Sequence, residues 1–305
     1  MKKYRKIYIE ITNKCNLNCS FCPKTKRPGR VMSAEEFAAV ANAVRDRGVN
    51  YYLHLMGEPT SHPEFEKILK ICRENKMSVN ITTNGTLLDK TGDTMLENNV
   101  RMVSVSMHSF EANSLNKDMA AYLGKITDFC KKARKTDTIT ELRLWNFDRE
   151  SIYDKNRLNG QILCFLQENL KLDFDLPQAV AKTLEEKENS NQRKFNIKLT
   201  ENVFLGMAEH FMWPDINRKE KNDCGFCYGL RNQVAILANG DVVPCCLDSD
   251  GNMVLGNIFN QNFDDIIKGQ RALAIYNGFS NRKAVEPLCQ TCGYMQMHLK
   301  KPAVK

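Results

Sequence analysis

Long apolar runs are missing from this chain. No stretch approaches the roughly 18 to 20 consecutive apolar residues that a membrane span needs, so no membrane-spanning helix is expected. A secretory signal is missing too: the basic start, Met1 to Lys6, is followed only by Ile7, Tyr8 and Ile9 before Glu10. The protein is therefore expected to stay in the cytoplasm. Proline (9) and glycine (16) are too scarce among 305 residues for a collagen-like or low-complexity chain, and neither an internal repeat nor a biased tract is present. With 42% hydrophobic and 26% charged residues, the composition is that of a globular protein with a sizeable core.

Acidic residues are outnumbered, 36 against 44 Lys and Arg, leaving a net charge of +8 with local clusters at 24–30 and 131–135. A solvated basic surface explains this, as does docking of an acidic redox donor. No RNA-binding motif accompanies it, so nucleic acid is not an expected partner. The abundance that matters is cysteine. Twelve cysteines in a chain without an export signal do not form a disulfide framework, because cytosolic thiols are kept reduced, and metal binding is the expectation. Nine fall into groups: Cys15, Cys19 and Cys22, then Cys224, Cys227, Cys245, Cys246, Cys289 and Cys292. Cys72, Cys130 and Cys164 stand alone in helical patterns and are expected to be buried.

The pattern alternates strand and helix. Strands are expected at about 6–12, 51–56, 78–83, 101–107, 138–145 and 195–205, with helices at 34–47, 64–75, 89–98 and 113–135 between them. This β-α repetition predicts parallel strands with right-handed crossovers, an open or closed barrel. Residues 146–194 break the rhythm and are expected to form a helical insertion or flap. A second, smaller unit is expected over 206–305, with a β-hairpin turning at Gly240.

Cys15, Cys19 and Cys22 lie in a C-x3-C-x2-C loop just after the first strand. Three thiolates on one short loop can hold three corners of a cubane iron-sulfur cluster and leave the fourth iron open. Structural zinc closes with four ligands, and no fourth Cys or His is nearby in sequence. The loop, with Phe21 before its last cysteine, resembles the signature of the radical S-adenosylmethionine (SAM) superfamily. Met56 to Pro59 resembles that family's Gly-Gly-Glu motif with Met56 in place of the first glycine, and Thr83 to Thr86 and Ser104 to Ser106 sit as in relatives. The resemblance spans essentially the whole chain. It implies a partial (β/α)6 TIM-like barrel in the α/β class, whose first cluster binds SAM and cleaves it reductively to a 5'-deoxyadenosyl radical that abstracts a substrate hydrogen. It further implies that Phe21 lies against adenine, that Gly57 and Glu58 meet the methionyl amino group, and that Asn84, Ser104 and Ser106 lie near the cofactor. An electron donor of flavodoxin or ferredoxin type is implied as a partner.

From Cys227 the chain reads C-x12-G-x4-C to Cys245, and Cys289-x2-Cys292 follows. Two thiolates flanking a hairpin and two on a short loop can close four ligands around an iron-sulfur cluster. The pattern resembles the SPASM auxiliary-cluster domain or its shortened form, Twitch. The resemblance implies a second 4Fe-4S cluster held by Cys227, Cys245, Cys289 and Cys292, and leaves open whether Cys224, Cys246 or His298 touches it. A zinc site built from Cys224, Cys227, Cys289 and Cys292 is the competing reading.

Candidate substrate residues follow from their places at strand ends. His54 and His108 adjoin strands two and four, Asp215 with Trp213 precedes the small unit, and Arg143 lies with Trp145 and Asn146 at strand five. An arginine in an apolar strand must meet an anion, read here as the cofactor carboxylate or an acidic substrate. The expected function is two-electron oxidation or a related modification of a small molecule, with the second cluster accepting the electron. Modification of a peptide is the alternative, disfavoured by a first strand that begins near residue 6. An electron-transfer or sensor protein without radical chemistry is the reading of another class.

Overall fold

The computed structural model describes residues 3–113, 118–147, 157–187, 194–209 and 212–296. Six strands, β1 (Tyr4–Ile9), β2 (Gly48–Tyr52), β3 (Val79–Thr83), β4 (Met102–Ser106), β5 (Ile139–Phe147) and β7 (Val203–Glu209), run parallel in that order. Helices α1 (Ala34–Val44), α2 (Phe65–Glu74), α3 (Leu88–Glu97) and α4 (Met119–Ala133) supply the crossovers between the first five strands. The fold is α/β, a partial (β/α)6 barrel whose sheet does not close. One edge carries β6 (Lys194–Thr200), antiparallel to β7. The other is extended by β8 (Gln233–Ile236), parallel to β1, then by β9 (Asp241–Val243) and β10 (Gly256–Asn257), both antiparallel.

Local chemistry explains the boundaries. Ser33 caps α1 with Glu36 closing a capping box, as the sequence predicts. The helix nevertheless stops at Val44, and the second strand starts at Gly48 rather than Tyr51, because Asp46 turns the chain through a left-handed conformation. The single strand expected over 195–205 is two. Asn202 (φ 56°) reverses the chain, so β7 becomes the sixth parallel strand and β6 its antiparallel edge.

Helices α5 (Arg157–Leu170) and α6 (Leu176–Lys187) correct the expectation of a flap. Their buried Ile162, Leu163, Leu166, Leu176 and Val180 belong to the main core, and α5 packs on α4 as part of the β5 to β7 connection. Cys72 and Cys130 are buried, as expected, but Cys164 is exposed, because the helical period that buries its neighbours turns it outward. Helices α7 (Phe263–Lys268), α8 (Gln270–Ser280), α9 (Pro287–Gln290) and α10 (Gly293–Gln296) are the last elements among the described residues. Arg47 pairs with Asp264, tying α7 to the barrel. Among the described residues no helix is long and apolar enough to cross a membrane.

One buried acid joins the two ends of this architecture. Glu10, fully buried at the end of β1, accepts from the Arg27 guanidinium at 2.7 Å, from the Met56 amide at 3.3 Å and from the Ala238 amide at 3.0 Å. Arg27 Nε also donates to the Ser249 carbonyl at 2.8 Å, and Thr25 Oγ1 to Ser249 O (2.8 Å) and Asp250 Oδ1 (3.0 Å). Much of the basic run at 24–30 is thus a staple to the C-terminal segment rather than a free surface. Glu10→Ala leaves the Arg27 charge nearly buried without its partner and should cost about 3–5 kcal/mol. Breaking the exposed Lys131–Asp128 pair should cost less than about 1 kcal/mol. Thermal melts of the two variants check this, and equal shifts would contradict it.

Candidate active site

The first cysteine loop leaves β1 and is closed at its base by amide chemistry. Asn13 Nδ2 donates to the Pro28 carbonyl (2.9 Å) and its Oδ1 accepts from the Arg30 amide (2.7 Å). Further along, Asn84 Nδ2 donates to Asn16 Oδ1 (2.8 Å), while Asn16 Nδ2 reaches Thr86 Oγ1 (2.9 Å). Asn113 accepts from the Asn18 amide (2.7 Å) and donates to Cys19 Sγ (3.1 Å). The C-terminal ends of β1, β3 and β4 therefore hold Cys15, Cys19 and Cys22 together. Burial pushes the Cys15 and Cys19 thiols up, and the charges of neighbouring thiols and Glu58 push the same way. Clustered thiols of this kind suit a metal that displaces their protons. Sequence reasoning assigned no role to Asn16, Asn18 or Asn113.

Gly57 (φ 77°) is required by contact as well as conformation, since a Cβ there would lie 2.4 Å from Thr12 O and 2.7 Å from Lys14 O. The Glu58 amide donates to Lys14 O at 2.9 Å. Its carboxylate turns inward: Oε1 accepts from Thr60 N (3.1 Å), Thr60 Oγ1 (2.6 Å) and Thr83 Oγ1 (2.7 Å), and Oε2 from Asn84 N (2.7 Å). Burial raises its pKa, and these hydrogen bonds oppose the rise. Through these bonds the Glu58 side chain braces the loops after β2 and β3. Phe21 lies on His108, ring centres 4.8 Å apart, beside the cysteine loop.

The barrel interior is built around Glu141, Arg143 and His54. Arg143 does meet an anion, but that anion is Glu141, two residues earlier on the same face of β5, at 2.6 Å. Glu141 Oε2 also accepts from Ser104 Oγ (2.9 Å), and Oε1 from Lys194 Nζ (2.6 Å). Burial opposes ionisation of Glu141, but Arg143 and Lys194 hold its carboxyl down to about 2. Ser106 stands in register with Arg143. His54 Nδ1 accepts from the Thr82 amide (3.0 Å), so its proton is on Nε2, which donates to Thr82 Oγ1 (3.1 Å). Burial, with Arg143 and Lys6 nearby, lowers its pKa to about 3, which makes His54 a neutral strut, not a proton shuttle. His108 Nδ1 lies 3.1 Å from the Arg143 carbonyl. Asp215 is exposed, its carboxylate accepting from the Asn217 amide in a turn, and does not reach the barrel interior. Asn146 exchanges amide hydrogen bonds with Asn159 of α5.

The four thiols singled out near the C-terminus line one cavity. Cys227, Cys245, Cys289 and Cys292 share it with Pro214, Leu247, Met253, Phe279, Leu288, Tyr294 and Met295. Burial pushes the Cys227 thiol up to about 11 and Cys245 and Cys289 well above the usual range, with neighbouring thiols adding to the effect in the last two. Among the described residues no three His, Cys, Asp or Glu side chains converge closely enough to hold a single metal ion. Four thiols around one cavity supply the four ligands that a cubane cluster takes. Cys224 is exposed and outside this set. Cys246 turns the other way and shares a hydrogen bond with Tyr8, whose ring stacks on Tyr52 at 4.8 Å. His298 lies outside the described residues.

Two family models match the chain. Residues 9–152 match the Radical SAM superfamily, and residues 227–293 match SPASM, an iron-sulfur cluster-binding domain. The chain is 25% identical over 287 residues to a probable GTP 3',8-cyclase of Methanococcus maripaludis, covering 88% of this chain and 93% of that protein. It is also 25% identical over 279 residues to a probable GTP 3',8-cyclase of Methanosarcina mazei, covering 84% and 81%. Its fold is similar to BtrN in complex with AdoMet and 2-DOIA (TM-score 0.58, 16% identity, 96% of this chain and 94% of that one). It is likewise similar to Streptococcus suis SuiB bound to the precursor peptide SuiA (TM-score 0.60, 18% identity, 97% and 71%).

The state of His54 sets a pH dependence. Its pKa is near 6.5 in the unfolded chain and about 3 in the fold, so its contribution is complete above 6.5 and lost as pH falls. At pH 5 the loss should reach about 2 kcal/mol. His54→Gln should flatten the fall in melting temperature between pH 7 and 5, and an unchanged slope would contradict the neutral assignment.

Proposed function

The chain is a radical SAM enzyme with a C-terminal SPASM iron-sulfur domain, and on that premise we propose that it oxidises or otherwise modifies a small molecule, its second cluster accepting the electron. When bound, SAM and the first cluster supply a 5'-deoxyadenosyl radical that takes a hydrogen atom from the substrate, and the second cluster supplies an acceptor for the electron the substrate radical gives up. The observation that carries the reading is the cavity ringed by Cys227, Cys245, Cys289 and Cys292. Four thiols saturate a cubane and leave no iron for SAM, whereas Cys15, Cys19 and Cys22 leave one open.

The protein's own residues orient and shield. Gly57 lets the loop backbone approach the cysteine loop, Glu58 locks β3 to it, and Phe21 with His108 forms an aromatic wall. Asn84, Ser104 and Ser106 stand at the same strand ends, where the cofactor's methionyl and ribose groups would lie. Glu141 and Arg143 form the interior wall facing the substrate. Adjacent Cys245 and Cys246 look into different compartments, the cluster cavity and the barrel, so residues 206–305 bring the acceptor within one residue of the interior. The net charge of +8 suits an acidic flavodoxin- or ferredoxin-type electron donor. Peptide modification is the second reading, favoured by the likeness to SuiB bound to SuiA.

Replacing Cys15, Cys19 and Cys22 together by Ala should abolish 5'-deoxyadenosine formation from SAM and dithionite under anaerobic conditions. Cys289→Ala with Cys292→Ala should leave SAM cleavage in place. Iron should fall from about eight to about four per chain, two clusters of four becoming one. A reconstituted wild type with only four irons would refute the electron-acceptor role.

A further inference from the structure

We propose that the interior wall formed by Arg143, Trp145 and Lys194, with Thr82 and Asn80 beneath it, binds an oxyanion carried by the substrate, a phosphate or carboxylate group. The proposal rests on the reading above and names its substrate class. Its ground is an excess of donors over acceptors in a confined place. Arg143 uses Nε on Glu141 (2.6 Å) and Nη1 on Thr82 Oγ1 (3.1 Å), and among the described residues its Nη2 donates to nothing. Lys194 spends one contact on Glu141 Oε1 (2.6 Å). The Trp145 indole N–H is buried with no acceptor. Asn80 is 2% exposed, its Oδ1 taken by Arg101 (2.9 Å) and its Nδ2 unpartnered.

Charge points the same way. The Trp145 ring centre lies 4.3 Å from the Arg143 guanidinium carbon and 5.2 Å from Lys194 Nζ, so two cations lie against one aromatic ring. Glu141 is the carboxylate between them, and both of its oxygens are already occupied, Oε2 by Ser104 and Arg143 and Oε1 by Lys194. One negative charge faces two positive ones, and the remaining N–H groups need acceptors. An oxyanion offers several acceptor lone pairs and a balancing charge, and Arg143 with Lys194 can grip it from two sides. A neutral, donor-rich ligand would leave the same groups unsatisfied and add its own.

Isothermal titration calorimetry on the reconstituted, SAM-saturated enzyme tests this with three probes: pyrophosphate, succinate and neutral glycerol. The expected result is saturable binding of at least one anion, at least tenfold tighter than glycerol. Pyrophosphate ahead of succinate assigns a phosphate, and the reverse a carboxylate. Lys194 lies half-exposed on an edge strand, and Lys194→Gln should weaken the preferred anion tenfold or more. Glu141→Gln removes the competing carboxylate and should tighten it at least threefold, opposite shifts that a merely structural role would not produce. Absence of anion binding, or equal binding by wild type and Lys194→Gln, overturns the proposal. Formation of 5'-deoxyadenosine in the same preparations is a separate readout, so failure of the radical reading and failure of the anion wall are distinguishable.

Discussion

Glu10 is the point on which the arrangement of both cysteine clusters depends. It is a carboxylate with no solvent access, so each of its contacts must be held by protein. Those contacts reach the segment after the first cysteine loop through Arg27, the end of β2 through the Met56 amide, and the β8–β9 hairpin through the Ala238 amide. Because β8 also continues the sheet beside β1, the C-terminal segment is an extension of the barrel's own sheet. The hairpin that carries Cys245 is consequently fixed relative to the loop that carries Cys15, Cys19 and Cys22. The two cysteine groups are thereby held in one geometry.

Much of this was legible in the sequence, for physical reasons that also explain the failures. Thiol spacing is a strong signal because few chemistries need three thiolates on one short loop, and Cys227, Cys245, Cys289 and Cys292, singled out by their spacing, line one C-terminal cavity. The strand-helix alternation survived translation into structure because each strand is apolar on its helix side. The β6–β7 reversal was hidden, since its left-handed residue is Asn202 and no Gly or Pro announces the turn. Helix α5 was misread as a flap because the polar residues after α6 dominated the segment's composition. The partner of Arg143 was overlooked even though period two places Glu141 on its face. Asn13, Asn16 and Asn113 carried the quietest signal, amides near cysteines whose bonds appear only once distant loops meet.

The barrel interior shows how electrostatics divides the labour among titratable groups. Arg143 with Lys194 holds Glu141 ionised despite burial, and Arg143 with Lys6 adds to the burial that keeps His54 uncharged. The relatives named GTP 3',8-cyclase and the structures bound to 2-DOIA or to a peptide show that this fold serves varied substrates. Selectivity in this chain must then come from its own interior side chains.

The central claim is that the chain holds two iron-sulfur clusters of different kinds, one open to SAM and one closed by four thiolates. Electron paramagnetic resonance of the reconstituted, reduced enzyme, recorded with and without SAM, tests it most directly. The account predicts two reduced-cluster signals, of which one changes on addition of SAM and the other does not. A single signal, or two signals that both shift or both stay fixed, would contradict it.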